Sequence, residues 1–349
     1  MLPYLFLCIL PVILSVLFPG YDTVPKQRKK FLFFCAVAMI IILGLRSSNV
    51  GSSDTNNYYR MMARAINASS WGVFYYNGQI ETGFQWFVYG LSRVLRDPQW
   101  ILIISSMIIV ICNLYSISKN TNNLVTAIVM FVTLGLMTFE MQAMRQAIAM
   151  SICLLAYEEV KKKNIIKFLF IVFLALFFHR TAVVFIPVYF LSKLKVKTNH
   201  LVIFGIASSI ILFFSTQIIT IANNVFHESY DTAVDKGGFV ATSIYILIMV
   251  YALISNRESL KNDDKALAFY VLLTGMVCYI MRYVGALAAE RVSFYYMFAQ
   301  IIVLSDAIEN TSSKNKKLVA MIVFFLCILL FIYRMSTSNL VPYHFFTYN

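Results

Sequence analysis

Long apolar runs separated by brief polar breaks recur from residue 2 to residue 333, and most approach the roughly 20 residues that span a bilayer. In order, the runs at 2–18, 31–45, 98–117, 124–139, 143–159, 165–178, 181–191, 200–222, 239–255, 266–285, 292–308 and 317–333 predict membrane helices. They are too long and too continuously apolar for barrel strands, which leaves the helix as the way to satisfy a backbone in lipid. The expected fold is an all-α polytopic membrane protein, one integral membrane domain over 1–349 with about twelve transmembrane helices. Some are short or re-entrant: 181–191 suits a half-helix inside the bundle. The run that begins at Met1 has no basic segment and no small-residue cleavage site, so it is expected to be retained as the first span.

Between the second and third runs lies the largest polar stretch, 46–97, an expected structured outer loop. Its segment 83–96 carries Phe84, Phe87, Val88, Leu91 and Leu95 on one helical stripe. We assign it as an interfacial helix, because a crossing there would move Lys161–Lys163 to the other side of the membrane. Tyr58, Tyr59, Trp71, Phe74, Tyr75 and Tyr76 argue for packed structure in this loop, and their faces suit either a sugar or the interfacial belt.

Charge then orients the spans. The chain is 60% hydrophobic and 13% charged, with a net charge of +13. Lysine clusters at 26–30, 161–163, 193–197 and 314–317 all fall on one side, which the positive-inside rule makes the cytoplasm; both termini then lie outside. The excess charge thus reports topology and contact with anionic membrane lipids, and no nucleic acid partner is expected. The six cysteines lie within apolar runs and lack metal-ligand spacing, so neither disulfides nor a bound metal is expected.

Arginine is sorted differently from lysine. Ten of the twelve, Arg46, Arg60, Arg64, Arg93, Arg96, Arg145, Arg180, Arg282, Arg291 and Arg334, map to the outer side. A guanidinium pairs bidentately with phosphate or carboxylate, so this rim points to an anionic ligand; the plainer reading pairs individual arginines with Asp54, Asp97, Glu140 or Glu290. Three outer turns carry charge where a helix begins its descent: Arg145 with Gln146, His179 with Arg180 and Thr181, and Glu290 with Arg291. Helix N-termini expose N–H donors and partial positive charge, so such ends with arginine form cradles for a pyrophosphate. His179 stands at an apolar boundary as a candidate base, although a lone histidine there is more often structural. In the loop 223–238, His227, Glu228, Asp231 and Asp235 offer cation ligands at no recognised spacing, and a solvated loop is the better reading.

Short motifs follow one another along the chain: Arg46-x-x-x-Val50-Gly51-x-x-Asp54-x-x-x-Tyr58, Glu81-x-Gly83-Phe84, Arg145-Gln146-x-Ile148-Ala149, and His179-x-Thr181-Ala182 with Pro187. In this order and at this spacing the chain resembles the EpsG family of bacterial polysaccharide polymerases, a branch of the Wzy-like proteins. Arg291 and Pro342-Tyr343 are similar as well. The resemblance implies a polymerase at the outer face of the bacterial cytoplasmic membrane, in exopolysaccharide, capsule or O-antigen biosynthesis. It would transfer a growing glycan between undecaprenyl-pyrophosphate-linked oligosaccharides, with a chain-length regulator as a further partner. No cofactor is implied, and the chain shows no nucleotide-binding motif, in keeping with energy held in the glycosyl-pyrophosphate bond.

In such a transfer charge gathers on the departing pyrophosphate, where arginine stabilises the transition state more than the ground state. Arg145 and Arg291 are the first candidates and Arg46 the third. His179 is the favoured base; Asp54 and Glu81 are alternatives that otherwise hold sugar hydroxyls. Tyr58, Gln146, Arg180, Arg282, Glu290 and Tyr343 complete the expected substrate-binding set. Two other readings use the same features. A flippase or transporter for lipid-linked oligosaccharides would line its path with the arginines, and a membrane O-acyltransferase acting on surface glycans would use the boundary histidine. The first calls for related halves and mid-membrane charges, the second for an intramembrane polar file, and the sequence displays neither.

Overall fold

The structure, a computed structural model, describes residues 1–51, 53–75, 80–226, 239–284, 288–336 and 338–347. Tyr76 and the group His227, Glu228, Asp231 and Asp235 lie outside the described residues. Among the described residues the chain is all-helical, with one isolated antiparallel bridge between Arg46 and Phe345. Each apolar run of the sequence is helical, but several are broken. Among the described residues, three helices are individually long and apolar enough to cross a bilayer, Trp100–Asn120, Asp263–Val284 and Lys314–Ser336. Three bent pairs, each a broken span or a re-entrant loop, bring the number to six if each is counted as one span: Leu124–Thr133 with Leu136–Gln142 at 46°, Thr198–Phe213 with Ser215–Asn224 at 65°, and Ala289–Met297 with Ala299–Glu309 at 44°. Shorter apolar helices account for Leu2–Leu17, Ile165–Leu176, Arg180–Leu191 and Thr242–Ser255. The chain is therefore a helical membrane protein.

Two compact units divide it. The first comprises Met1–Leu155, Phe173–Ala182 and Leu318–Asn349. It begins with α1 (Leu2–Leu17) and α2 (Pro25–Gly44), followed by α3 (Ser53–Asn67), a short α4 (Trp71–Phe74) and α5 (Thr82–Val94). Then come α6 (Trp100–Asn120), α7 (Leu124–Thr133), α8 (Leu136–Gln142) and most of α9 (Met144–Lys161). α2 packs along α6, and α1 packs on α2 and α7.

The stretch expected as a loop with one interfacial helix is more ordered than that. α5 covers the anticipated segment and buries Phe84 and Val88, while Trp86 on its other side is exposed. α3 is a second amphipathic helix that the sequence reading did not identify: Tyr58, Met61, Met62 and Ala65 are buried, and Asn57 and Arg60 are exposed. Both helices close one apolar core with Ile101, Leu102 and Ile109 of α6 and Met144, Ala147 and Ile148 of α9. Burial of that shared core, at about 1.5–3 kcal/mol per large side chain, is what holds the short helices in place.

The C-terminal tail is stitched to the same unit. Ser47 N donates to His344 O at 2.9 Å and Phe346 N to Leu45 O at 2.8 Å. The Tyr343 hydroxyl donates to Ile42 O at 2.9 Å, and Tyr4 donates to Leu340 O at 3.1 Å. The bonds to Ile42 O and Leu45 O satisfy carbonyls at the end of α2 that have no partner within the helix.

The second unit comprises Ala156–Val172 and Val183–Lys317. It holds the end of α9, the larger part of α10 (Ile165–Leu176), α11 (Pro187–Leu191), α12 (Thr198–Phe213), α13 (Ser215–Phe226), α14 (Phe239–Ser255), α15 (Asp263–Ile280), α16 (Ala289–Met297), α17 (Ala299–Glu309) and the start of α18 (Ser313–Ser336). α15 is its centre, packed against α16, α17 and α14. Asn262 caps α15 by accepting from Asp264 N at 2.9 Å, and Lys265 pairs with Asp306 of α17 at 2.6 Å.

Candidate functional site

Arg145 is the second residue of α9, immediately after the break that ends α8 at Ala143. A cation in the first turn of a helix opposes the helix dipole, so a counter-charge is needed there. Glu81 supplies it: Arg145 Nη1 donates to Glu81 Oε2, and Arg145 Nε donates to the Tyr58 hydroxyl at 3.2 Å. The other carboxylate oxygen of Glu81 accepts from Arg180 N at 3.2 Å and faces His179 Nδ1 at 3.1 Å, a contact off the line of an ideal hydrogen bond. The carboxylate meets Arg145 and the His179–Arg180 turn directly and Tyr58 of the first motif through Arg145, and all of them lie in the first unit.

Backbone geometry makes this meeting possible. Glu81 precedes the first turn of α5, with its carbonyl taken by Gln85 N at 3.1 Å and its side chain directed away from that turn. Gly83 then lets the chain 177–180 approach closely: Phe84 N donates to Phe177 O at 3.1 Å, and a Cβ on Gly83 would lie 2.7 Å from that oxygen. Only a residue without a side chain permits the approach that sets His179 against Glu81. Gly51 serves the other flank. Its φ of 126° is a conformation that favours glycine, and it turns the chain so that Thr55 Oγ1 reaches Met141 O at 3.3 Å. Arg46 Nη2 reaches the same carbonyl at 3.0 Å, and its Nη1 bonds Leu43 O. The end of α8, and with it the start of α9, is held from two sides.

The electrostatics follow from the burial. Desolvation alone would raise the Glu81 carboxyl, but His179 and then Arg145 outweigh it and hold the group at about 2. Burial raises Tyr58, partly countered by Arg145. The Glu81 side chain is 5% exposed, whereas His179 is 18% and Arg145 24% exposed. A buried anion therefore organises a base-type nitrogen and a guanidinium that both reach the surface.

The remaining candidates divide. Asp54 is half-buried in the first turn of α3, Gln146 is buried beside Arg145 in α9, and the Arg180 side chain is half-buried. Arg46 is 2% exposed and bonded to carbonyls; burial pulls its pKa down to about 10, still charged at neutral pH. Tyr343 is engaged with Ile42 O. Both hold the scaffold. Arg93 and Arg96 likewise face carbonyls at the end of α3, with Arg93 Nη1 at 3.2 Å from Ala68 O. Part of the arginine excess is therefore helix capping, for which the sequence offered only the spacing from one helix end to the next. In the second unit, Arg282 pairs with Glu290 at 2.8 Å and bonds the Tyr279 hydroxyl at 2.9 Å, which realises the plainer reading for that pair. Arg291 is exposed in the first turn of α16. Thr55, Gly83 with Phe177, and Gln99, which donates to Gly44 O at 2.7 Å, are supporting residues without an assigned role in the sequence reading. Only Gly83 carried a signal there, through its motif.

Comparison with known proteins bears on this arrangement. No curated protein and no solved structure gives a significant match. The family model described as the EpsG family matches residues 29–348, a span that takes in every residue of the Glu81 cluster. The chain belongs to the EpsG family, whose members are Wzy-like polysaccharide polymerases.

Proposed function

We propose that the Glu81 cluster is the catalytic centre of a polymerase that joins undecaprenyl-pyrophosphate-linked oligosaccharide repeat units at the outer face of the bacterial cytoplasmic membrane. The family supplies the coarser statement, a polysaccharide polymerase of exopolysaccharide biosynthesis. The observation that supports the finer one is the convergence of the motifs on Glu81, through Arg145, Tyr58, Arg180 and His179.

In this reading the acceptor sugar hydroxyl attacks the anomeric carbon of the donor glycan. The new C–O bond forms as the bond from that carbon to the pyrophosphate oxygen breaks, and the electron pair leaves with the lipid pyrophosphate. His179 takes the hydroxyl proton at Nε2, because Nδ1 is turned toward Glu81 and the carboxylate fixes that tautomer and steadies the imidazolium that forms. Arg145 meets the charge that develops on the pyrophosphate. Its orientation is set beforehand by Glu81 and Tyr58, so little reorganisation is needed in the transition state. Asp54 is assigned to sugar hydroxyls at the edge of the cluster. A single displacement of this kind inverts the anomeric centre and needs no further nucleophile.

The test is a gel of lipid-linked glycans from cells lacking the protein, complemented with wild type or His179→Ala at matched membrane levels. Wild type should restore the ladder, and the variant should leave a single repeat unit on the outer leaflet. Full-length polymer from His179→Ala would remove the base from the mechanism. Repeat units retained on the cytoplasmic side in the null strain would replace polymerase with flippase.

A further inference from the structure

Two lysine-rich turns that lie apart in the sequence meet in the second unit. Lys161 and Lys163 at the end of α9 and Lys193 and Lys195 beyond α11 line a cleft of about 300 Å³ with Asp263 and Asp264 of α15. That volume is at the small end of ligand-binding clefts. Lys161 is paired with Glu158 at 2.9 Å, and Lys195 with Asp263. Among the described residues, Lys163 and Lys193 form no salt bridge, although Lys163 acts on Asp263 from a distance, and Lys193 Nζ stands 5.7 Å over the Phe190 ring. With Glu158 counted beside Asp263 and Asp264, four ammonium groups face three carboxylates, so the cleft keeps a small net positive charge.

Lys163 has a second peculiarity. α9 ends with Lys163 N bonded to Val160 O at 2.9 Å and Asn164 N to Glu159 O at 2.9 Å, a helix stop that requires a left-handed residue between them. That residue is Lys163, at φ 57°, where glycine is the unstrained choice. Tyr189 braces the turn by donating to Lys163 O at 3.1 Å. The positive-inside rule accounts for lysine in these turns, but not for two of them sharing a cleft, nor for lysine at a position that costs backbone energy. Strain of this sort is kept where the side chain has a task.

We propose that this cleft binds a phosphate-bearing head group, its phosphate held by Lys163 and Lys193 and neighbouring hydroxyls taken by Asp264 and Ser192. The proposal is independent of the Glu81 chemistry and rests on the orientation expected from the lysine turns, which places the cleft at the cytoplasmic head-group layer. There the chemistry fits a phosphodiester with a hydroxylated substituent, the phosphatidylglycerol class; a free phosphate ester shares that chemistry.

The experiment is a thermal-shift titration of the full chain in detergent with phosphatidylglycerol, phosphatidylcholine and inorganic phosphate. Wild type and the double variant Lys163→Gly with Lys193→Ala are compared. Glycine suits the left-handed turn, so the variant should unfold at or above the wild-type temperature without lipid. Phosphatidylglycerol should stabilise wild type and bind the variant about 30-fold more weakly, the loss expected for two ammonium groups at a membrane surface. Inorganic phosphate that protects wild type as well as the lipid does, with the same dependence on the lysines, supports the site with a soluble ester as its ligand. Equal stabilisation of both proteins by phosphatidylglycerol, or equal effects of phosphatidylcholine and phosphatidylglycerol on wild type, overturns the proposal.

Discussion

Replacing Glu81 by glutamine keeps the shape of the side chain and removes the charge that Arg145 faces. The carboxyl is held at about 2 against an ordinary 4.5, which corresponds to about 3 kcal/mol of preference for the charged form in the folded protein. Breaking a fully buried ion pair costs about 3–5 kcal/mol. Because the Arg145 side chain keeps 24% of its surface, the lower end of that range applies to the pair, while the carboxyl's preference for its charged form is shared between His179 and Arg145. The sign is set by the depressed pKa: the stabilisation is complete above about 4.5 and is lost as pH falls toward 2. Glu81→Gln should therefore lower Tm by about 5 °C at pH 7 in thermal unfolding of the detergent-solubilised chain, and by less than about half that at pH 3. Arg145→Gln should destabilise comparably, and the double variant should recover about 2 kcal/mol of the summed loss. None of the three should make polymer, which separates the chemical role from the structural one. Additive losses in the cycle, or the same penalty for Glu81→Gln at pH 3 as at pH 7, would show that the pair is not what orders this site.

Other variants probe its supports. Gly83→Ala sets a Cβ against the Phe177 backbone, and should cost about 1–3 kcal/mol and abolish the glycan ladder by displacing His179 from Glu81. Tyr58→Phe keeps the ring against Phe84 but removes the acceptor 3.2 Å from Arg145 Nε; a loss of about 1 kcal/mol of orientation predicts polymerisation in vitro slowed about 5-fold. Arg46→Met removes the guanidinium donor from Leu43 O and leaves Met141 O with Thr55 alone inside the fold, so it should lower Tm by several degrees while the molecules that remain folded still polymerise. A normal Tm with no polymer would instead put Arg46 in contact with substrate.

The helices were largely legible because length and continuous apolarity are properties of the chain itself. The breaks were not. The 124–139 run reads as one helix, yet Leu134 and Gly135 divide it and bend it by 46°, which defines α8 as the separate helix that leads up to Arg145. α3 was missed because its polar face dominates its composition, although Tyr58, Met61, Met62 and Ala65 recur at helical spacing. Arginine use was misleading for a physical reason: a guanidinium serves helix carbonyls as readily as phosphate, and sequence position does not distinguish the two. Arg46 and Arg93 took the first course, while Arg145 combined a carboxylate with partial exposure.

Sequence by itself determined a helical membrane chain, the residues of its motifs and the family to which they belong, because hydrophobic run length and short-range spacing are written locally. Tertiary structure alone decided which charges meet. Glu81 reads in sequence as a motif carboxylate for sugar hydroxyls or an alternative base, with nothing to say which charges it meets. It becomes the centre of the cluster because Gly83 admits the Phe177 backbone and the helix break at Ala143 turns Arg145 toward it. Interactions of this range depend on distances of a few ångströms between segments far apart in the chain, and packing sets those distances.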